Sequence, residues 1–237
     1  MLKFIGIGSA FNTAEGNTSA YIKKNGILFL IDCGSANFHF MKESGFLDDV
    51  EEIHVYITHT HSDHIGSLGD LILYMYYAKG EIKNRVTVYA VSEIGVDKYL
   101  MMNGVALPCY NFEPLDEHGS FSVLGYTMIP MKTSHVPELL SYGLLIENKK
   151  GKLAMYTGDT NELSESVNQW FEDGVLEYLY VDTCSQDYDG NVHLSLRTLH
   201  NTVKKKYRDS VWCMHLDEKF DKELARSLGF KIAEVEI

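Results

Sequence analysis

Along this 237-residue chain the hydrophobic positions gather in short runs broken by turn-forming residues, with occasional longer stretches of helical period. Residues 3–7, 19–24 and 27–31 read as strands, and Asn25-Gly26 supplies a tight hairpin turn between the last two. Residues 53–57 form a further strand, followed by the helical spacing of Leu68, Leu71, Ile72 and Met75. Residues 86–90 predict a strand, 93–102 a helix, and 103–118 a loop, because Gly104, Pro108 and Pro114 break any period. In the second half, strands are expected near 121–129, 142–147, 153–157, 179–181 and 211–214, with helices near 162–171, 196–206 and 218–228. Strands outnumber helices in each half, so the expected architecture is α/β: two mixed sheets face to face with helices outside.

Composition narrows this picture. With 45% hydrophobic residues the chain can bury a sizeable core, and a single domain over 1–237 is expected. No apolar run approaches the roughly 20 residues needed to span a bilayer, so a soluble cytoplasmic protein without membrane partners is expected. The four cysteines, Cys33, Cys109, Cys184 and Cys213, lack paired spacing and read as buried free thiols. The formal net charge of −12 weighs against gripping a long nucleic acid, whose binding draws on a basic surface. Lys204–Lys206 with Arg208 is the visible basic run, and it reads as the solvated end of a helix.

Chemistry concentrates just after the strand at 53–57. The segment His59-Thr-His61-Ser-Asp63-His64 packs imidazoles and a carboxylate into consecutive positions, a donor set suited to zinc and neighbouring transition metals. Alternation sends His59 and His61 to one side, and a turn at Asp63-His64 lets the next pair face a second ion. Further candidates each follow an expected strand: Thr133-Ser-His135, Tyr156-Thr-Gly158-Asp159-Thr160 and Cys213-Met-His215. The remaining His39, His54, His118 and His200 stand without such company and read as structural or solvent-exposed.

His59–His64 resembles the HxHxDH motif of the metallo-β-lactamase superfamily, and the later residues follow in that superfamily's order. The resemblance implies a four-layer αββα sandwich and two divalent ions, zinc or manganese, with no organic cofactor. It assigns His59, His61 and His135 to one ion, Asp63, His64 and His215 to the other, and Asp159 as the bridge; Asp63 counts among the catalytic carboxylates too. The opening Gly6-Ile-Gly8-Ser-Ala-Phe11, Asn17-Thr18-Ser19 and Ile31-Asp32-Cys33-Gly34 resemble the tRNase Z branch. Asp182 and His193 stand where that branch carries an acid and a His, although the branch's acid is usually Glu. A carboxylate-oriented His suits protonation of a leaving alkoxide, as phosphodiester cleavage requires.

The tRNase Z arm that grips tRNA would fall between His135 and Asp159, which stand only 24 positions apart with two expected strands between them and leave no room for it. In that respect the chain is similar to the phage anti-Pycsar phosphodiesterases. That likeness implies a homodimer that opens cyclic nucleotides such as cCMP and cUMP, in the host cytoplasm if phage-encoded, in evasion of cyclic-nucleotide immune signalling. A tRNase Z-like endoribonuclease, or another phosphodiesterase of the metallo-β-lactamase fold, is the alternative. Tyr110 and Phe112, two positions apart in the expected loop, are read as either a lid over a nucleobase, a reach into a neighbouring subunit, or core packing.

Overall fold

The computed structural model describes residues 2–80, 82 and 84–237. A first sheet runs in the order β1 (Lys3–Gly6), β2 (Ser19–Lys24), β3 (Ile27–Ile31), β4 (Glu52–Tyr56), β5 (Val86–Val91) and β6 (Asn111–Leu115). Pairing is antiparallel from β1 to β3 and parallel from β3 to β6. The β2–β3 turn is the one expected: Asn25 and Gly26 both take positive φ, 53° and 77°, as a two-residue hairpin needs.

The second sheet repeats this plan. It comprises β7 (Phe121–Val123), β8 (Tyr126–Thr133), β9 (Ser141–Glu147), β10 (Leu153–Tyr156), β11 (Leu176–Asp182), β12 (Val211–Met214) and β13 (Lys231–Ile232). The first four are antiparallel neighbours, and β10 to β13 are parallel.

Strand period sorts the side chains into layers. In β3, Phe29 and Ile31 join Tyr56, Leu144, Tyr156 and Tyr180 in the core that includes residues of both sheets. Alternating Leu28 and Leu30 face the other way, onto Leu68, Leu71 and Ile72 of α3 (Leu68–Leu73). Helices α1 (Asn37–Glu43), α2 (Ser62–Ile65), α3 and α4 (Val96–Met102) are interleaved with the first sheet's strands. Helices α5 (Ser166–Glu172), α6 (Leu196–Thr202) and α7 (Lys222–Ser227) are interleaved with the second's. This mixed α/β architecture of two sheets is the one expected.

Several boundaries differ from the sequence reading. The strand expected at 121–129 is a hairpin, turned at Leu124 and Gly125 with φ of 55° and 84°. Residues 103–118 are not a free loop: they contain a 3-10 turn at Leu107–Cys109 and then β6, which pairs parallel with β5. Pro114 is tolerated because β6 is an edge strand. Tyr110 is buried in the core of the first sheet and Phe112 packs against that core, so the lid reading of this pair is overturned. All four cysteines are buried and free, as read. No described helix is long and apolar enough to cross a membrane.

Candidate metal centre

The C-terminal ends of the parallel strands converge on one edge of the sandwich, and the expected site residues arrive there from both sheets. β4 delivers residues 58–64, β8 leads to His135, β10 to Asp159, β11 ends on Asp182, and β12 leads to His215. Two backbone features make the convergence fit. Gly34 lies so close to the 61–64 loop that a Cβ there would sit 1.9 Å from the Asp63 carbonyl oxygen. Asp32 and His215 hold positive φ of 66° and 57°, costly for residues with side chains and found here beside the donors.

The donor atoms form two groups. In the first, His59 Nε2 lies 3.0 Å from His61 Nδ1, which lies 3.2 Å from His135 Nε2. Asp159 Oδ2 is 3.8 Å from the first imidazole and 3.6 Å from the last. In the second, His64 Nε2 is 3.3 Å from Asp63 Oδ2 and 3.2 Å from Asp159 Oδ1. His215 Nε2 completes it, 3.3 Å from Asp63 Oδ2 and 3.5 Å from Asp159 Oδ1. The two oxygens of Asp159 therefore face different groups. Four ligands arranged tetrahedrally about 2.1 Å from a cation stand about 3.4 Å from one another, so these spacings suit a divalent ion in each group.

Hydrogen bonding fixes which nitrogens are lone pairs. Thr58 donates its hydroxyl to Asp32 Oδ2 at 2.8 Å, so its oxygen accepts the Nδ1 proton of His59 at 3.0 Å, leaving His59 Nε2 unprotonated. His135 Nδ1 donates to the Val192 carbonyl at 3.0 Å, with the same outcome at its Nε2, and His64 Nδ1 donates to Asp32 Oδ2 at 2.8 Å, which turns its Nε2 toward Asp159, where a proton or a metal cation can sit. His59 Nε2 and His135 Nε2 both turn lone pairs toward His61 Nδ1, which carries at most one proton, so a cation among the three relieves a repulsion that a proton there leaves at one contact. His64 Nε2 and Asp159 Oδ1 are buried without hydrogen-bond partners, as a metal-ligating pair would be.

The electrostatics agree. Burial pushes the imidazoles of His59 and His61 below their usual range, so they are neutral donors. Burial alone would also depress His215, but Asp159 and Asp182 raise it to about 10. His64 is likewise raised against its burial by Asp159 and Asp32. Burial would raise Asp159, but His215 and His64 hold it well below the carboxylate range. The second group thus carries excess negative charge that draws protons onto its histidines, and a divalent cation supplies the same compensation.

His193 sits beside both groups, its ring centroid 5.1 Å from that of His135 and 5.0 Å from that of His215. Its Nδ1 donates to Asp182 Oδ2 at 2.7 Å, and Asp182 Oδ1 lies 3.3 Å from His215 Nδ1. Burial opposes protonation of His193, but Asp182 outweighs it and raises the imidazole above its ordinary value.

All the sequence-derived site residues come together, and the reading missed those that orient them. Asp32 anchors His64, Thr58 Oγ1 and the Thr58 backbone N–H, and Val192 orients His135. Asp32 was visible only as part of a resembling run, and a backbone carbonyl such as that of Val192 leaves no residue-type signal. Of the other histidines, His118 is exposed, whereas His54 is half-buried between Tyr89 and Glu52.

A family model described as "Anti-Pycsar protein Apyc1" matches residues 1–234. The chain belongs to the anti-Pycsar Apyc1 family. One curated relative, the anti-Pycsar protein Apyc1 of Bacillus phage 010DV004, is 27% identical over 93% of this chain and 90% of its own length. Among solved structures, the metallo-β-lactamase fold protein YhfI of Bacillus subtilis superposes with a TM-score of 0.75 at 16% identity, covering 100% of this chain and 97% of that one. Human tRNase Z, short form, gives 0.70 at 15% identity, covering 100% and 97%. The fold is therefore that of the metallo-β-lactamases, and this Apyc1-family chain is a metal-dependent hydrolase whose His and Asp groups suit divalent ions.

Proposed function

We propose that the protein is a two-metal phosphodiesterase that opens cyclic mononucleotides, cCMP and cUMP among them, to linear nucleoside monophosphates. His59, His61, His135 and Asp159 hold one ion; Asp63, His64 and His215, with the other oxygen of Asp159 at 3.2 and 3.5 Å from the two imidazoles, hold the other, with zinc or manganese fitting these donors. Bound ions supply Lewis acidity to the phosphoryl oxygens and an activated water. The chain's own residues do the rest. Asp182 fixes His193 with Nδ1 bonded and Nε2 free, and the raised imidazole carries a proton near neutral pH to give to the departing alkoxide.

The observation that carries the phosphodiester reading is that His193, on the wall of the donor groups' own cavity, is held from behind at 2.7 Å by the buried Asp182. A charged alkoxide leaving group needs such an acid. A compact substrate is favoured by the cavity, of about 470 Å³, whose described lining contains no Lys or Arg.

Other features weigh against a long nucleic acid. His135 and Asp159 are 24 positions apart, and the segment between them is occupied by β9, β10 and their turns. In the basic run, Lys204 and Lys206 pair with Glu172, and Arg208 is buried, donating to the carbonyls of His200, Val203 and Leu228. Lys23, Lys24, Lys149, Lys150 and Lys152 line a groove beside the β2–β3 and β9–β10 turns, at the ends of β3 and β10 opposite to those that lead into the donor groups. A homodimer formed through exposed apolar side chains such as Met101, Met102 and Leu107 completes the proposal.

The test is a substrate panel with zinc- or manganese-loaded protein: cyclic mononucleotides, cyclic dinucleotides and pre-tRNA. Linear monophosphates should appear from the cyclic mononucleotides. Processing of pre-tRNA with the cyclic mononucleotides left intact would reverse the assignment in favour of the endoribonuclease.

A further inference from the structure

The cavity over the donor groups has an unusual rim. Phe11 lines it with 86% of its surface exposed, and Tyr188 lines it with 60% exposed. Exposing a large aromatic so fully forgoes the gain from burying it, and among the described residues neither ring packs on another ring. The backbones beneath them are nevertheless pinned. Ser9 N and the Asn12 side-chain amide both donate to the carbonyl of Leu216, at 3.0 and 2.9 Å, so the turn bearing Phe11 is tied to the residue after His215. The turn bearing Tyr188 is closed by Asn191 N donating to the Tyr188 carbonyl at 3.2 Å and by the Asn191 side chain donating to the Gln186 carbonyl at 2.8 Å. That turn continues into Val192, which holds His135, and His193.

Both rings are thus exposed side chains on anchored turns, Phe11 on a turn bonded to Leu216, next to His215, and Tyr188 on the turn that leads into His193. The same lining holds Val136 and Val192 as apolar surface, and its charged groups other than imidazoles are the carboxylates of Asp63, Asp159 and Asp217. With no Lys or Arg there, the charge of an anionic ligand is met by the ions and the imidazoles. The rest of its grip comes from the neutral side chains of Ser9, Ser62, Gln186 and Asn191 and from the apolar and aromatic rim.

We infer that Phe11 and Tyr188 form a stacking platform for the base of a bound nucleotide, with the phosphate seated on the donor groups. This rests on the cyclic-nucleotide reading above for its substrate, and it names the residues that recognise the base. Base–aromatic stacking tolerates different bases because every base presents a π-face. One stacked ring is worth roughly 5- to 150-fold in affinity.

The experiment uses the metal-loaded full chain and two probes that differ by the base alone, adenosine 5′-monophosphate and ribose 5-phosphate, titrated calorimetrically. The nucleotide should bind at least about 5-fold tighter than the sugar phosphate. F11A and Y188A should each shrink that ratio, and the double variant should bring it near unity. F11W and Y188W should restore it, and melting temperatures should stay unchanged because both side chains are exposed. Equal binding of the two probes by the wild-type protein overturns the platform, as does an undiminished ratio in the double variant. A base-dependent ratio that the variants abolish, in a protein that cleaves no cyclic nucleotide, upholds the platform and overturns the phosphodiesterase reading instead.

Discussion

The two sheets supply the same site in opposite ways. The first contributes its donors as one run, His59, His61, Asp63 and His64, all on the segment that follows β4. The second contributes singly, His135 after β8, Asp159 after β10, Asp182 at the end of β11, His193 between β11 and β12, and His215 after β12. Yet each half backs its donors with a buried carboxylate. Asp32 binds the Thr58 backbone N–H at 2.8 Å and His64 Nδ1 at 2.8 Å; Asp182 binds the Thr160 backbone N–H at 3.0 Å and His193 Nδ1 at 2.7 Å. A contiguous run is held by its local turn, while dispersed donors depend on strand register, so the first half fixes a cluster and the second fixes spacing. Of the imidazoles, Asp32 bonds His64 alone, whereas Asp182 is shared between His215 and His193, the proposed proton donor.

The comparison breaks most severely at the one residue facing both groups. Asp159→Ala should lower bound metal at both positions and cut activity by more than about 100-fold, the upper range for loss of an outer partner. His59→Ala should also abolish activity towards every substrate and lower metal content. Elemental analysis beside the cyclic-nucleotide assay reads both, and full metal with near-normal turnover in either variant would remove it from the ligand set.

His193→Ala should keep both ions and slow cyclic-nucleotide turnover by on the order of 100- to 10,000-fold. A p-nitrophenyl phosphodiester, whose leaving group needs little protonation, should lose much less. Equal losses on the two substrates would take His193 out of the acid role.

The carboxylate pair should separate next, each change costing about 10- to 100-fold. Asp32→Asn should act through metal affinity. Asp182→Asn should act also through pH: Asp182 raises the His193 imidazole against its burial, and an acid works only while protonated. Activity therefore falls as pH rises through that raised value. Removing the charge lowers it, so the alkaline limb of kcat should move to lower pH in Asp182→Asn and stay in place in Asp32→Asn. A matching shift in both would erase the distinction drawn between them.

How much of this was legible in the sequence follows from the same contrast. The run from His59 to His64 is readable because its chemistry is local, and His135, Asp159 and His215 are readable through the resemblance, because they follow in the superfamily's order. The β2–β3 turn was readable because Asn25-Gly26 states its own backbone conformation. Asp32 was not, since a lone acid after a strand resembles any turn residue until the fold brings Thr58 and His64 to it. Phe11 and Tyr188 were hidden for the converse reason: an aromatic in a turn reads as core until the surface around it is known. β6 was concealed by Pro114 and Pro108, which argue for a loop unless the strand is known to lie at an edge.

The smallest effect on catalysis should come from Tyr110, which tests how little of the first half beyond its N-terminal turn and the donor run reaches the cavity. Tyr110 is 4% exposed, packed in the core between the first sheet and its helices, and is absent from the described lining of the donor cavity. Tyr110→Ala should destabilise the fold by about 3–5 kcal/mol, as truncating a buried aromatic does. It should leave KM for cyclic nucleotides unchanged at temperatures where the variant is folded, because no substrate contact is lost. Denaturant unfolding and steady-state kinetics on the same preparation measure both. A raised KM with unaltered stability would return residues 103–118 to the role of a cover and make the first half a second contributor to substrate binding.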